Sequence, residues 1–169
     1  MSADSYLPPP AAAAGSAGRD TPGVIAPPPL IYLAGLAIGF ALEALLPSTS
    51  LPDWLAWSLG SALLFAGLAL AASFVRAFRH ARTPVNPGAS ATTLVTTGPY
   101  RLSRNPGYLG MALGYSGTAI LSGALWAFVP LVPTLILIDR GVIRREERYL
   151  ERRFGEQYSR YRGRTRRWL

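Results

Sequence analysis

Apolar residues occur in long blocks along this chain, and the blocks alternate with short polar connections or with arginine-rich segments. Four such blocks lie at residues 30–46, 54–75, 106–121 and 124–138. About 20 apolar residues in a helix cross the roughly 30 Å hydrocarbon core of a bilayer, and runs of this length are too long for barrel strands. The pattern therefore predicts an all-α integral membrane helical bundle of about four transmembrane helices.

The last two blocks are each near the lower length limit for a span, and they meet at Ser122 and Gly123. A connection this short predicts a tight helical hairpin. Pro130 and Pro133 lie inside the fourth block, where a proline removes a backbone hydrogen bond and kinks a helix. The freed carbonyl groups are then expected to meet neighbouring helices or water that lines a cavity.

The two ends of the chain differ from the apolar middle. Residues 1–29 are rich in proline, alanine and glycine without a periodic apolar face, which predicts a disordered tail. The tail lacks the basic start and the apolar region of a signal peptide. Residues 30–169 form the predicted membrane domain, with a cytosolic loop at 76–105 and a C-terminal juxtamembrane helix and tail at 139–169.

Arginines determine the expected topology. The chain carries 17 basic residues, all arginine, against nine acids, for a formal net charge of +8. Five arginines lie in residues 76–104 and 11 in residues 139–169, while the other two connections have none. Because cytoplasmic loops collect basic residues, both termini are expected in the cytoplasm, at the inner membrane if the cell is bacterial. Contact of these arginines with anionic lipid headgroups would follow.

Several function classes are disfavoured by composition. The chain has no cysteine and one histidine, so neither a thiol nucleophile nor a histidine metal cluster is available, and no metal is expected. Nucleic-acid binding is disfavoured because no basic face with stacking aromatic residues exists apart from the membrane segments.

The first motif is a cationic turn that leads into the third block. Asn105 precedes Pro106, which favours an extended, capping geometry at Asn105 and a helix start at Pro106. Free amide groups at that start, with Arg101 and Arg104 nearby, favour binding of a carboxylate or a phosphate. A capped helix with arginines reaching to the interface is an equally open interpretation.

The second motif is a helix that carries Glu147 on its apolar face. At about 100° per residue, Glu147 falls within a narrow stripe formed by Ile143, Leu150 and Phe154. A carboxylate buried there needs a partner. Arg101 or Arg104 could form a structural ion pair with it, or the carboxylate could hold a ligand cation.

The two motifs belong to a longer ordered series of segments: Gly98-Pro99-Tyr100-Arg101, Arg104-Asn105-Pro106, Tyr108-Leu109-Gly110, Arg145-Glu146-Glu147, Leu150, Phe154-Gly155, Tyr158, Tyr161 and Arg166-Arg167-Trp168. Taken in order, these segments resemble one superfamily of integral membrane methyltransferases, the isoprenylcysteine carboxyl methyltransferases and phospholipid methyltransferases. The resemblance covers about residues 94–169, and the first two blocks match in character alone. Many members have histidine where Asn105 stands, which places a histidine-assisted mechanism in doubt here.

The resemblance implies S-adenosylmethionine as cofactor and a lipophilic small molecule or lipid as acceptor. The implied cofactor-binding residues are Arg101, Arg104, Asn105, Pro106, Tyr108, Leu109, Gly110 and Glu147. Glu146 and Glu147 would lie near the methyl-transfer centre. Tyr115, Trp126 and Tyr158 are the expected acceptor-binding residues.

Two other functions remain open at this point. The sterol reductases share a similar carboxy-terminal pattern but use a phosphorylated nicotinamide cofactor and usually have more spans. A small non-enzymatic membrane protein is the other alternative. The acceptor is also open: an isoprenylcysteine-like carboxylate, a phospholipid amine and a small lipophilic thiol all fit an apolar cavity with one polar end.

Overall fold

The computed structural model describes residues 22–46, 48–49, 51–83 and 91–169. Within these ranges all regular structure is helical and no strand occurs, which confirms the predicted all-α class. The greater part of the predicted disordered tail and residues 84–90 of the predicted loop lie outside the described residues.

The helices follow the apolar blocks closely, with differences at their ends. The α-helices are Pro28–Leu45 (α1), Asp53–His80 (α2), Pro106–Leu121 (α3), Phe128–Ile138 (α4), Arg144–Phe154 (α5) and Glu156–Arg164 (α6). Short 3₁₀ turns lie at Gly98–Arg101 and Leu125–Ala127, and a π-helical turn at Asp139–Ile143 joins α4 to α5. The fourth apolar block therefore continues without a break into the cationic helix α5, in the segment where the sequence predicted a C-terminal juxtamembrane helix.

The two prolines of α4 do not interrupt this continuity. Pro130 lies in the first turn of α4, where a missing N–H removes no intrahelical hydrogen bond. Pro133 lies inside α4, and the helix continues past it to Ile138. A π-turn inserts one extra residue into a helix, and such turns are common at functional sites.

Three helical stretches of the described residues are long and apolar enough to cross a membrane, at Pro28–Leu45, Asp53–His80 and Leu125–Phe154. The protein is thus a membrane helical protein. Helix α3 has 16 residues, at the lower limit for a span. The count of four spans and the orientation of the termini therefore remain predictions.

The described residues divide into two compact units. The first, here called the apolar unit, contains residues 26–71 and 107–139. In it α1 packs closely on the 3₁₀ turn that leads into α4: a Cβ at Gly39 would lie 2.5 Å from the Ala127 Cα. The Tyr115 hydroxyl donates a hydrogen bond of 2.7 Å to the Ala127 carbonyl oxygen, and the Tyr32 hydroxyl donates one of 3.0 Å to that of Tyr108.

Glu43, the one charged residue of the first apolar block, has a defined role at the end of α1. Its carboxylate accepts hydrogen bonds from the backbone N–H of Ser48, at 2.6 Å, and from the Ser48 hydroxyl, at 2.8 Å. It also accepts one of 3.1 Å from the backbone N–H of Trp126. The carboxylate therefore satisfies amide groups at the start of the 3₁₀ turn before α4, as acidic groups commonly do at helix starts.

The second, here called the polar unit, contains the described residues of the ranges 22–25, 72–106 and 140–169. Its core is formed by Leu94, Phe154 and Tyr158. The Arg153 Nε donates a hydrogen bond of 2.6 Å to the Ala91 carbonyl oxygen. Arg145 donates one of 2.8 Å to the carbonyl oxygen of Gly23, so the end of the expected tail has a defined contact.

Candidate functional site

The cationic turn begins with a 3₁₀ helix at Gly98–Arg101. Gly98 has a φ of +61°, a left-handed conformation that side chains with a Cβ rarely adopt. After this turn the chain buries Ser103, whose hydroxyl accepts a hydrogen bond of 3.1 Å from the Asn105 N–H. Such local side-chain bonds stabilise tight turns. Arg104 and Asn105 are thereby placed at the start of α3, beside the C-terminal segment.

The C-terminal segment is bound to this turn through its backbone. The Arg104 N–H donates to the Arg166 carbonyl oxygen at 2.9 Å. The Arg167 carbonyl oxygen accepts a bond of 2.9 Å from the Asn105 side-chain amide and one of 3.2 Å from the Ser103 hydroxyl. Residues 103–105 and 166–167 therefore form one hydrogen-bonded cluster.

Glu147 on α5 lies between two guanidinium groups. Arg167 donates from Nε to Oε1 at 3.1 Å and from Nη2 to Oε2 at 2.7 Å, the two-point geometry that makes arginine–carboxylate pairs strong. Arg104 Nη2 lies 3.3 Å from Oε1. The side chains of Arg104 and Glu147 are 11% and 13% exposed, and that of Arg167 is 34% exposed. Of the two arginines that the sequence offered as ion-pair partners of Glu147, Arg104 forms the pair. Arg101 is exposed.

Arg104 keeps two hydrogen-bond donors without a partner. Its Nε and Nη1 atoms are buried and have no acceptor among the described residues. Unpaired buried donors are rare, and each costs roughly 1–3 kcal/mol. Arg104, Arg167 and Glu147 together hold two positive groups and one negative group, so their net charge is positive. Both features favour an anionic ligand group at Arg104.

Two tyrosines, the buried Tyr158 and the half-buried Tyr161, belong to the same surroundings. Burial raises the pKa of Tyr158 to about 12, with a further increase from the Glu147 charge that the Arg104 charge opposes. Burial also raises the pKa of Tyr161, whose hydroxyl donates a bond of 2.8 Å to the Tyr100 carbonyl oxygen. Both phenols are therefore neutral at physiological pH and serve as hydrogen-bonding groups.

Glu146 acts electrostatically on the cationic turn. Burial and the charge of Glu146 raise the pKa of Tyr100 well above its ordinary value. The Tyr100 ring packs against Phe78, with ring centres 5.9 Å apart. The charge of Glu146 therefore acts on Tyr100, whereas that of Glu147 acts on Tyr158.

The polar unit brings together several of the predicted site residues, namely Arg104, Asn105, Glu147 and Tyr158. Pro106 is buried at the first position of α3. Tyr108, Leu109, Gly110, Tyr115 and Trp126 belong to the apolar unit. There Gly110 is in close contact with a neighbouring helix, since a Cβ on it would lie 3.0 Å from the Gly67 carbonyl oxygen. The proposed ligand roles of these five residues stay predictions.

Sequence reasoning did not identify Arg167 as a site residue. The signal available was the Arg166-Arg167-Trp168 triplet at the end of the chain, which belongs to the resemblance. Nothing in sequence spacing indicates that a residue 20 positions after Glu147 returns to bind it. The return is a consequence of how α6 folds back.

Apolar helices long enough to cross a membrane define the class of protein as a membrane helical protein, and Arg104, Glu147 and Arg167 form its candidate polar site. The family model of the phospholipid methyltransferases matches residues 55–157, more than half of the chain. The chain therefore belongs to the phospholipid methyltransferase family, and it is a membrane methyltransferase. The resemblance drawn from the sequence is confirmed at the level of this superfamily.

Two curated proteins are similar over shorter stretches. An uncharacterized protein of Haemophilus influenzae is 38% identical over 55 residues, which are 30% of this chain and 87% of that protein. The cobalt-zinc-cadmium resistance protein CzcN of Cupriavidus metallidurans is 37% identical over 78 residues, 46% of this chain and 36% of that protein. No solved structure matches the chain.

Proposed function

We propose that the protein transfers a methyl group from S-adenosylmethionine to a lipophilic acceptor. Membership of the phospholipid methyltransferase family supports the reaction class. The observation that carries the choice of cofactor is Arg104: its buried Nε and Nη1 atoms have no acceptor among the described residues, and its Nη2 atom pairs with Glu147.

The residues of the polar unit fit the amino-acid part of this cofactor. That part carries a carboxylate, for which the unpaired Arg104 donors and the net positive charge of the cluster are suited. Glu147, which forms an ion pair with Arg104, is the proposed binding site for the cationic groups of the cofactor. Its ion pairs with Arg104 and Arg167 weaken its attraction for these groups but do not abolish it. When bound, S-adenosylmethionine supplies an activated methyl group on sulfur. The proposed cofactor role of Tyr108, Leu109 and Gly110 rests on the sequence resemblance alone.

The proposed catalysis depends on position more than on proton transfer. An enzyme lowers the barrier to methyl transfer to a large extent by holding the two reactants in line and by excluding bulk water. An acceptor carboxylate needs no general base. An amine or thiol acceptor would need Glu146, Glu147 or Tyr108 to take a proton. The proposal therefore covers an isoprenylcysteine-like carboxylate, a phospholipid amine and a small lipophilic thiol.

Ligand binding by the purified protein tests the proposal. In detergent, S-adenosylhomocysteine should raise the thermal midpoint of the full-length protein, and Arg104→Gln should weaken this effect because it removes the charged donors. Protection by the reduced phosphorylated dinucleotide instead would support a sterol-reductase-like enzyme. Protection by neither ligand would support a non-enzymatic protein.

Methyl transfer itself is tested with a labelled cofactor and a native lipid extract. Glu147→Gln is expected to lower turnover by at least about a hundredfold, the scale for loss of one positioned charged group in an active site. The variant should retain its helical circular dichroism. Retained turnover in purified Glu147→Gln would move the catalytic role to another residue.

A further inference from the structure

We infer that Arg167 is a positioning residue for the cofactor carboxylate: it holds Glu147 in a two-point ion pair and so leaves two Arg104 donors for the ligand. This inference rests on the proposed function. The family match ends at residue 157, so Arg167 lies outside the matched residues.

The first step is that Arg167 joins two parts of the polar unit. Its carbonyl oxygen accepts hydrogen bonds from Asn105 and Ser103, which fixes its backbone beside the cationic turn. Its guanidinium binds both carboxylate oxygens of Glu147 on α5. A single residue thus sets the position of Glu147 relative to the turn that carries Arg104.

The second step concerns competition between two arginines for one carboxylate. Arg167 makes the two-point contact, and Arg104 reaches Oε1 through Nη2 alone, at 3.3 Å. A guanidinium commonly binds a carboxylate through two parallel N–H groups. For Arg104, whose Nη2 already contacts Glu147, the second N–H group of such a pair would be that of Nε. Because Arg167 already makes the two-point contact with both oxygens, Arg104 reaches the carboxylate through Nη2 alone, and its Nε and Nη1 have no acceptor among the described residues.

The third step is the charge of the cluster. With Arg167 present, two guanidinium groups surround one carboxylate, and the site is net positive. Without Arg167, the Arg104–Glu147 pair would be neutral and free to form two parallel hydrogen bonds. The site would then lose both charge and donors for an anionic ligand group, whereas contacts to the rest of the ligand would be unchanged.

A pair of ligands that differ in one carboxylate tests this role. S-adenosylhomocysteine carries the carboxylate, and S-adenosyl-3-thiopropylamine lacks it. We expect Arg167→Gln to weaken S-adenosylhomocysteine binding about tenfold, the scale of one charge-assisted hydrogen bond, and to change binding of the second ligand less than about twofold. Both dissociation constants are measured by calorimetry in detergent on the full-length protein.

Arg166→Gln is the matched control. It makes the same change of charge at the adjacent position, where the side chain is exposed and the backbone carbonyl oxygen makes the contact. This variant should bind both ligands as the native protein does. Arg167→Lys should give an intermediate loss for S-adenosylhomocysteine, since one ammonium cannot span both oxygens of Glu147.

The outcomes separate the inference from the proposed function. If the native protein fails to bind S-adenosylhomocysteine, the proposed function is wrong. If the native protein binds it and Arg167→Gln weakens both ligands equally, or neither, the positioning role is wrong. If Arg167→Gln does not fold, the Arg167→Lys variant must still lose affinity for the carboxylate-bearing ligand selectively, and equal losses there overturn the inference.

Discussion

At the scale of single residues, the proposed function rests on two buried Arg104 nitrogen atoms that have no acceptor among the described residues. The sequence predicted that Glu147 needs a partner because it lies on an apolar face, and Arg104 was one of the two candidates. The structure adds that Arg104 uses one nitrogen for this pair and leaves two buried donors open. Residue types and helical spacing cannot show this, because hydrogen-bond occupancy depends on a third group, Arg167, from a distant part of the chain.

Tyr158 supports a prediction about alkaline stability. Burial raises its pKa to about 12, above the value of about 10 in an unfolded chain. The unfolded state therefore releases the proton first, so the stabilising contribution is complete below about pH 10 and is lost as the pH rises towards 12. We expect the thermal midpoint to fall across this range, and to fall less in Tyr158→Phe, which keeps the buried ring and removes the ionisable group.

Thermal midpoints between pH 8 and 12 in detergent check this expectation. Exposed tyrosines do not contribute to such a fall, because their pKa is the same in both states. An identical alkaline decline in native protein and Tyr158→Phe would show that the Tyr158 phenol does not ionise differently on folding.

At the scale of secondary structure, hydrophobic blocks predicted where the helices lie, and packing determined where they end. The third block is a helix at Pro106–Leu121, but the fourth continues through a π-turn into α5. Helix α2 extends to His80, five residues beyond its apolar block. Arginines near a helix end fit the dipole of the helix, so the polar residues extend it into the aqueous region. Apolar composition alone cannot report such an extension.

The packing of α2 on α3 leads to a prediction for stability. A Cβ at Gly67 would lie 2.7 Å from both the Gly110 carbonyl oxygen and the Gly114 nitrogen, so the helix backbones would have to separate. Gly67→Ala is expected to destabilise the protein by about 1–3 kcal/mol, the scale of an overpacked core. The thermal midpoint in detergent measures the change.

Gly114→Ala is the control on the neighbouring helix. A Cβ there would meet no atom within 4 Å, so the substitution adds helix propensity without a clash. It should leave the thermal midpoint unchanged or raise it slightly. Equal destabilisation by both substitutions would contradict the close approach of α2 and α3 at Gly67.

At the scale of the whole molecule, the distribution of charge determines the expected orientation. Residues 72–106 and 140–169, the main part of the polar unit, contain 16 arginines and four glutamates. Residues 26–71 and 107–139 contain no basic residue. Positive loops stay in the cytoplasm, so the polar unit and both termini are predicted there. This arrangement requires an even number of spans and therefore requires α3 to cross the membrane despite its 16 residues.

Cysteine labelling tests this topology, because the chain has no cysteine of its own. Single substitutions Ser2→Cys and Ser159→Cys should react with a membrane-impermeant thiol reagent from the cytoplasmic side. Ser122→Cys, at the end of α3, should react from the opposite side. Labelling of residues 2 and 159 from opposite sides would indicate an odd number of spans and overturn the predicted orientation.

The sequence by itself determined the helical membrane class, the family and the residue types of the candidate site. These features depend on local composition and on the order of motifs, both of which can be determined from the linear sequence. The tertiary structure decided which atoms pair: that Arg167 returns to Glu147, that Asn105 is held by the Arg167 carbonyl oxygen, and that two Arg104 donors stay open. The physical reason is that hydrogen bonds between distant segments depend on distances and angles set by the packing of whole helices, and a residue pattern does not specify those.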